Sequence, residues 1–289
     1  MKRLILSLAS LALLSPVVTN AQAHNEFGVS IGVANYFGDL QDKVFPDYGY
    51  KPMIGLSYKY FMSPHVGLRF GVTYASVTAA DSLSDIPSNK ARNLSFGTSI
   101  VEGQIGLELN LLPIDIKRMK ATPYIFGGIA AFYFNPYSWD PNTGNKVFLR
   151  PLSTEGEGLP TYPDRKEYSL VNVAFPIGGG MKFLIGKTFV ITTELGFRYT
   201  NTDYLDDASK SYVNLDTLTA YKGKLAAQMS FRGNATKGWN GDYPNYGYQR
   251  GNSKANDWYW FGGVTIAVYL RAFGNIGDYL QGRCPAFFK

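Results

Sequence analysis

Residues 189–200 read Phe189-Val190-Ile191-Thr192-Thr193-Glu194-Leu195-Gly196-Phe197-Arg198-Tyr199-Thr200. Every second residue, from Phe189 through Ile191, Thr193, Leu195 and Phe197 to Tyr199, builds a greasy and aromatic face. The residues between them carry an acid, a base, a glycine and two threonines. A period of two places those sets on opposite sides of an extended strand. A soluble sandwich strand can show this once. Here it recurs along most of the chain, with long and short connections taking turns, and that combination predicts a transmembrane β-barrel.

Working outward, strand one runs from about Phe27 to Phe37, with Phe27, Val29, Ile31 and Val33 against Gly28, Ser30, Gly32 and Ala34. Strand two spans about Met53 to Phe61 and sets Ile54, Leu56, Tyr58 and Tyr60 against Gly55, Ser57 and Lys59. After the turn Met62 to His65, strand three opposes Val66, Leu68, Phe70, Val72 and Tyr74 to Gly67, Arg69, Gly71, Thr73 and Ala75. Strand four, about Ser99 to Leu111, opposes Val101, Ile105, Leu107, Leu109 and Leu111 to Glu102, Gln104, Gly106, Glu108 and Asn110. Strand five, about Tyr124 to Phe134, is apolar on both faces. Strand six, Leu170 to Ile185, turns Asn172, Gly178, Gly180 and Lys182 away from its apolar side. Strand seven is the opening stretch, and strand eight covers Asp257 to Phe273.

The connections alternate: 38–52 long, 62–65 short, 76–98 long, 112–123 moderate, 135–169 long, 186–188 very short, and 201–256 long. An even strand number with short turns at one end and long loops at the other is the outer-membrane pattern, which places both termini in the periplasm. Tyr36, Tyr60, Tyr74, Tyr199, Trp258 and Trp260, near strand ends, are expected in the interfacial girdles.

The 289 residues carry 31 glycines, 15% aromatics and only 17% charged residues, a balance suited to strands, turns and a lipid interface. Lys2-Arg3, the apolar run Leu4 to Leu14 and the small-x-small site Ala21-Gln22-Ala23 read as a signal peptide over residues 1–23. The run is too short for a spanning helix. Its removal lowers the net charge from +6 to +4, and nothing resembles a basic stripe for nucleic acid. The barrel then occupies residues 24–273, with outer-membrane lipid around it, and a periplasmic tail occupies 274–289.

Eight strands enclose a lumen that side chains alone can fill. Its expected charged lining is Lys59, Arg69, Glu102, Glu108, Lys182, Glu194 and Arg198. Opposite charges there should pair, because an unpaired buried charge is very costly. The set reads as a polar plug rather than an ion path. Catalysis has little support: His24 and His65 lie away from the outer rim, where lipid-modifying barrels place a histidine. No metal-ligand spacing, nucleophile elbow or phosphate loop is present, so no enzyme, metal or cofactor is expected. Asp206-Asp207 and Asp39/Asp42/Asp47 read as solvated loop carboxylates. Gly178-Gly179-Gly180 reads as close packing inside the lumen.

Cys284 is the only cysteine. It lies in the tail, beside Arg283, Pro285 and Phe287, in an oxidising compartment. Two readings stand: a cross-chain bond or contact, or a small residue tucked against the barrel floor. The basic turn Lys117 to Lys120 is a second possible docking surface.

Three segments carry a family likeness. Ala34-Asn35-Tyr36-Phe37-Gly38-Asp39-Leu40 closes the first strand. Arg250-Gly251-Asn252-Ser253 and Asn256-Asp257-Trp258-Tyr259 lead into the last. With Cys284-Pro285, these resemble the PorG family of Bacteroidota outer-membrane proteins, part of the type IX secretion system. The resemblance implies a structural role beneath which the lipoprotein PorK and its partner PorN form a periplasmic ring. It makes Cys284 the candidate for a covalent link to that lipoprotein. The competing class is a free-standing surface adhesin or binding barrel, which would normally end at its last strand. A lipocalin-like soluble barrel would invert the faces.

Overall fold

The computed structural model describes residues 24–113, 120–186, 188–233 and 242–271. Its strands are β1 (His24–Phe37), β2 (Lys51–Phe61), β3 (Val66–Ala80), β4 (Ser95–Asn110), β5 (Ala121–Tyr133), a short hairpin of β6 (Tyr137–Trp139) and β7 (Lys146–Phe148), then β8 (Val171–Ile185), β9 (Phe189–Thr200) and β10 (Trp258–Arg271). Eight of them follow the order β3-β2-β1-β10-β9-β8-β5-β4, and pairing of β3 with β4 closes the ring. All pairings are antiparallel, and Phe27↔Val268 and Leu68↔Leu107 illustrate the register. The protein is therefore an all-β, eight-stranded, closed antiparallel barrel. No helix among the described residues is long and apolar enough to cross a membrane.

The period-two pattern decides which side chain goes where. Ile31 (61% exposed), Ile54, Val72, Ile105, Ile177 (65%) and Ile266 all face outward. Large exposed hydrophobic side chains on every wall make sense only if lipid, not water, bathes them. Tyr60, Tyr74, Tyr199 and Trp258 join that outer surface. One defect interrupts the ladder: β5 and β8 pair up to Gly127↔Ile177 and resume at Ala130↔Ala174. Pro176 lies in the gap and has no N–H to contribute.

Four long connections gather at one end, called here the loop end. The turn end is tight: the Ser63 hydroxyl accepts from the N–H groups of His65 and Val66, and Gly186 bends with φ 66°. His65 Nδ1 lies 2.9 Å from the Asn110 carbonyl, bracing the neighbouring turn. His24 and Arg271 pair at this end, so both termini of the barrel proper share it.

Several expectations change. β3 and β4 continue into the segment expected to be a loop, pairing as far as Ala80↔Ser95, because Val77, Ala79 and Phe96 keep burying on the inner side. The 201–256 segment is not a bare loop: α2 (Leu215–Ser230) follows the short α1 (Pro87–Arg92). Asn214 caps α2 by accepting from the Thr217 N–H, while Gly223 (φ 84°) breaks it midway. Tyr36 does not join the girdle. It sits on the same parity as Ser30 and Ala34, pointing inward, and is fully buried. Trp260 does face outward but is covered, because Phe45 packs 5.2 Å and Tyr50 5.8 Å from it and its indole N–H donates to the Val44 carbonyl.

Candidate functional site

Two buried charge clusters stack along the barrel axis, separated by an apolar layer that includes Ala34, Ala75, Ala130, Phe132, Phe134 and Phe261. Below that layer the lumen holds the seven charged residues expected from the alternation, and one more. Arg198 grips Glu102 (Nε–Oε2 3.3 Å), whose other contact is the Tyr259 hydroxyl at 2.7 Å. Arg69 clasps Glu194 through two parallel 3.0 Å bonds, with the Tyr124 hydroxyl donating to the same carboxylate. Glu108 is shared: Lys59 Nζ lies 2.7 Å from it, Lys182 Nζ 2.6 Å and Arg69 Nη1 3.7 Å. Lys182 also reaches Glu26 at 3.1 Å.

Glu26 is the member the sequence reading missed. Starting strand one at Phe27 cut it off, yet extending the same alternation by one residue puts it inward, beside Gly28. With it the lumen carries four acids (Glu26, Glu102, Glu108, Glu194) and four cations (Lys59, Arg69, Lys182, Arg198). Neutrality is what a low-dielectric interior demands. Aromatic faces share the load: Arg69 stacks 3.7 Å from the Phe126 centroid, Arg198 4.1 Å from Phe261 and Lys182 4.1 Å from Phe61. Glycines admit these bulky groups. A Cβ on Gly178 would lie 2.3 Å from the Leu195 carbonyl oxygen and 2.8 Å from Phe126. The space left among Lys59, Arg69, Gln104, Glu194 and Arg198 is about 30 Å³, room for a water or two. At the turn end His24 closes the floor, stacked between Phe61 (4.5 Å) and Tyr269 (4.4 Å) and 3.4 Å from Glu26.

Above the apolar layer the four long connections interlock into a cap. Arg250 is its hub: Nη1 donates to Glu155 Oε1 at 3.1 Å and to the Asp207 carbonyl, and Nε to the Ser230 carbonyl at 3.1 Å. Arg92 forks onto Asp81 with two 2.7 Å bonds and reaches the carbonyls of Asp39 and Arg250. The Tyr36 hydroxyl oxygen lies between Asp206 (2.7 Å) and Asp257 (2.9 Å). Asp39 accepts from the Asn252 N–H at 2.7 Å. The three segments whose residues carry the family likeness, 34–40, 250–253 and 256–259, thus meet in one structure. Gly38 and Gly251 are required at their contact, since a Cβ on the first would lie 2.0 Å from Asp257 Oδ1 and one on the second 2.5 Å from Asp39 Oδ2.

Burial acts strongly on these loop carboxyls. It pushes Glu157 and Asp203 up to about 8, with neighbouring acids adding to the effect. Asp206 rises to about 8 by burial and the nearby Asp39 charge, and Asp257 rises well above the ordinary range. Asp207 reaches only about 6, because Arg250 and the Thr154 and Tyr168 hydroxyls offset its burial. Asp206 and Asp207 are therefore not the solvated carboxylates that their loop setting suggested; only Asp42 and Asp47 of that group are exposed. Among the described residues no three His, Cys, Asp or Glu side chains converge as a metal site.

Cys284, Arg283, Pro285 and Phe287, expected to bind a partner, lie outside the described residues, as do Lys117 and Arg118; Lys120 is described, and its carbonyl accepts from the Leu184 N–H.

Residues 2–146, half of the chain, match the family described as "Domain of unknown function (DUF6089)". No curated protein matches the sequence. Among solved structures the chain is similar to Neisserial surface protein A (8% identity, TM-score 0.41, covering 86% of this chain and 97% of that one). It is also similar to Ail, the attachment invasion locus protein of Yersinia pestis (7%, 0.40, 86% and 99%), and to the outer membrane protein OprG from Pseudomonas aeruginosa (8%, 0.39, 87% and 99%).

Proposed function

The chain belongs to the DUF6089 family, and we propose that it is a non-enzymatic outer-membrane barrel that anchors a type IX protein secretion machine. In this reading the loop end faces outside and both termini face the periplasm, where a PorK-like lipoprotein and its PorN-like partner form a ring beneath the barrel. The observation that carries it is the closed lumen. A neutral, ion-paired plug and a locked cap leave no path for substrate or ions, so activity moves to the rims. β10 ends at the turn end, beside His24 of β1, and in this reading that end faces the ring and Cys284 serves it. The resemblance in segments 34–40 and 250–259 supplies the family of the partner.

Affinity purification of the tagged barrel from gently solubilised outer membranes tests this. Co-purification of the ring lipoprotein is expected; recovery of the barrel alone overturns it. Cys284→Ser sharpens the result. Loss of a high-molecular-weight band in non-reducing electrophoresis assigns the link to that thiol, and an unchanged pattern removes the disulfide while leaving non-covalent docking.

One observation favours a second reading, a free-standing surface-binding barrel. Tyr221, Tyr246 and Tyr248 stand exposed on the cap, the kind of residue that anchors contacts with partners. Under that reading the same purification yields the barrel alone, and substituting these tyrosines abolishes binding to the surface ligand.

A further inference from the structure

The cap contains an arrangement that its hydrogen bonds cannot satisfy without an extra proton. Tyr36 Oη lies 2.7 Å from Asp206 Oδ2 and 2.9 Å from Asp257 Oδ1. A phenol carries one hydrogen, so it can donate to one of these oxygens. The other oxygens are already committed: Asp206 Oδ1 accepts from the Ala208 N–H and Asp257 Oδ2 from the Leu205 N–H, both at 2.9 Å. With both carboxylates ionised, one anionic oxygen would face the phenol's lone pairs at contact distance in a buried site. All three side chains are buried, at 2% exposure or less. Gly38 holds the trio closed, since a Cβ there would stand 2.0 Å from Asp257 Oδ1 and 2.1 Å from the phenol oxygen.

We infer that Asp206, Tyr36 and Asp257 form a proton-binding lock, in which one carboxyl donates to the phenol oxygen while the phenol donates to the other carboxylate, and that releasing this proton loosens the cap. The lock joins three separate parts of the chain: the end of β1, the segment after β9 and the entry to β10. The charged groups facing it are mostly acidic. Asp39 and Asp203 oppose ionisation; Arg92, from α1, favours it but is committed to Asp81; Glu155 and Arg250 act from further away through Asp39 and Asp203. The upward displacement of Asp206, to about 8, and of Asp257 agrees with a proton held past neutrality.

The sign of the pH effect follows from proton counting. Between roughly pH 4, where a free aspartate ionises, and pH 8, the closed cap binds a proton that the opened cap does not, so closure weakens as pH rises, by up to about tenfold per unit. Acidic surroundings tighten the lock.

Proteolysis of the full-length barrel in nanodiscs, from pH 6 to 9, reads the opening of segment 201–233 by cleavage within it, once rates are normalised to an unfolded peptide of that sequence. Wild-type cleavage is expected to accelerate with pH. In Asp206→Asn the amide donates permanently to the phenol, so cleavage should be slow at pH 9 and its pH slope smaller by about one proton. Asp257→Asn should act alike. A wild-type rate independent of pH, or a wild-type slope retained in both variants, overturns the lock. Should both variants misfold, infrared spectra of ¹³C-aspartate-labelled Asp203→Asn, which removes the other aspartate held protonated past neutrality, still decide it. A protonated carboxyl band at pH 7 supports the shared proton, and its absence contradicts it.

Discussion

The lumen and the cap both bury carboxylates, and they stabilise them by opposite means. In the lumen each of the four acids meets a cation: Glu26 with Lys182, Glu102 with Arg198, Glu108 with Lys59 and Lys182, Glu194 with Arg69. In the cap, acids outnumber cations. Asp39, Asp81, Glu155, Glu157, Asp203, Asp206, Asp207 and Asp257 face chiefly Arg92 and Arg250. The cause is the backbone. A closed sheet spends its N–H groups on the ladder, leaving few for side chains. Loops have spare N–H groups, and the cap uses them: Asp39 accepts from Asn252, Asp81 from Leu94, Glu155 from Ser209 and Lys210, Asp206 from Ala208 and Asp257 from Leu205. Ion pairing balances the charge of the lumen within itself. Backbone solvation of acids leaves the cap dependent on protons.

Substitutions should separate the two regions. The largest effect is expected for Glu108→Ala, which strands Lys59 in the lumen and leaves Lys182 with Glu26 alone. Breaking such a pair costs about 3–5 kcal/mol, read as a lowered urea midpoint for the whole barrel in the heat-modifiable gel shift. Arg250→Ala should cost a comparable or slightly smaller amount, about 3 kcal/mol, but locally. Segment 201–233 becomes protease-sensitive while the barrel keeps its folded migration. A global loss would contradict the separation of cap from barrel. Gly38→Ala should open the same segment by about 1–3 kcal/mol through overpacking of the lock, and its effect should shrink in the Asp206→Asn background if both act on one contact. Lys43→Ala, which removes the exposed pair with Asp85 (2.6 Å), should change neither readout, because solvent screens such pairs.

The wall and the plug were legible in the sequence because a strand has a strict period, and Lys59, Glu108 and Arg198 fall on its polar parity without help from distant residues. The same rule, applied one residue earlier, reaches Glu26, and applied to the end of β1 it turns Tyr36 inward. Tyr36 was misassigned because an aromatic near a strand end resembles a girdle residue. The cap was not legible. Arg250, Asp207 and Glu155 sit in segments without a period, and what joins them is long-range: Arg250 and Glu155 are 95 positions apart. The likeness in 34–40 and 250–259 did mark both halves of the lock, though not that they touch. α2 escaped notice because Gly223 divides it and its buried face is short, formed by Leu218, Ala226, Ala227 and Met229.

The central claim is that the lumen is closed by a balanced plug and that function resides at the rims. Purified barrel reconstituted in planar bilayers measures this directly. The account predicts no resolved conductance steps in high salt at either pH 6 or pH 8, because the cap's loosening leaves the ion-paired lumen intact. Stable unitary currents through the wild-type barrel would contradict it.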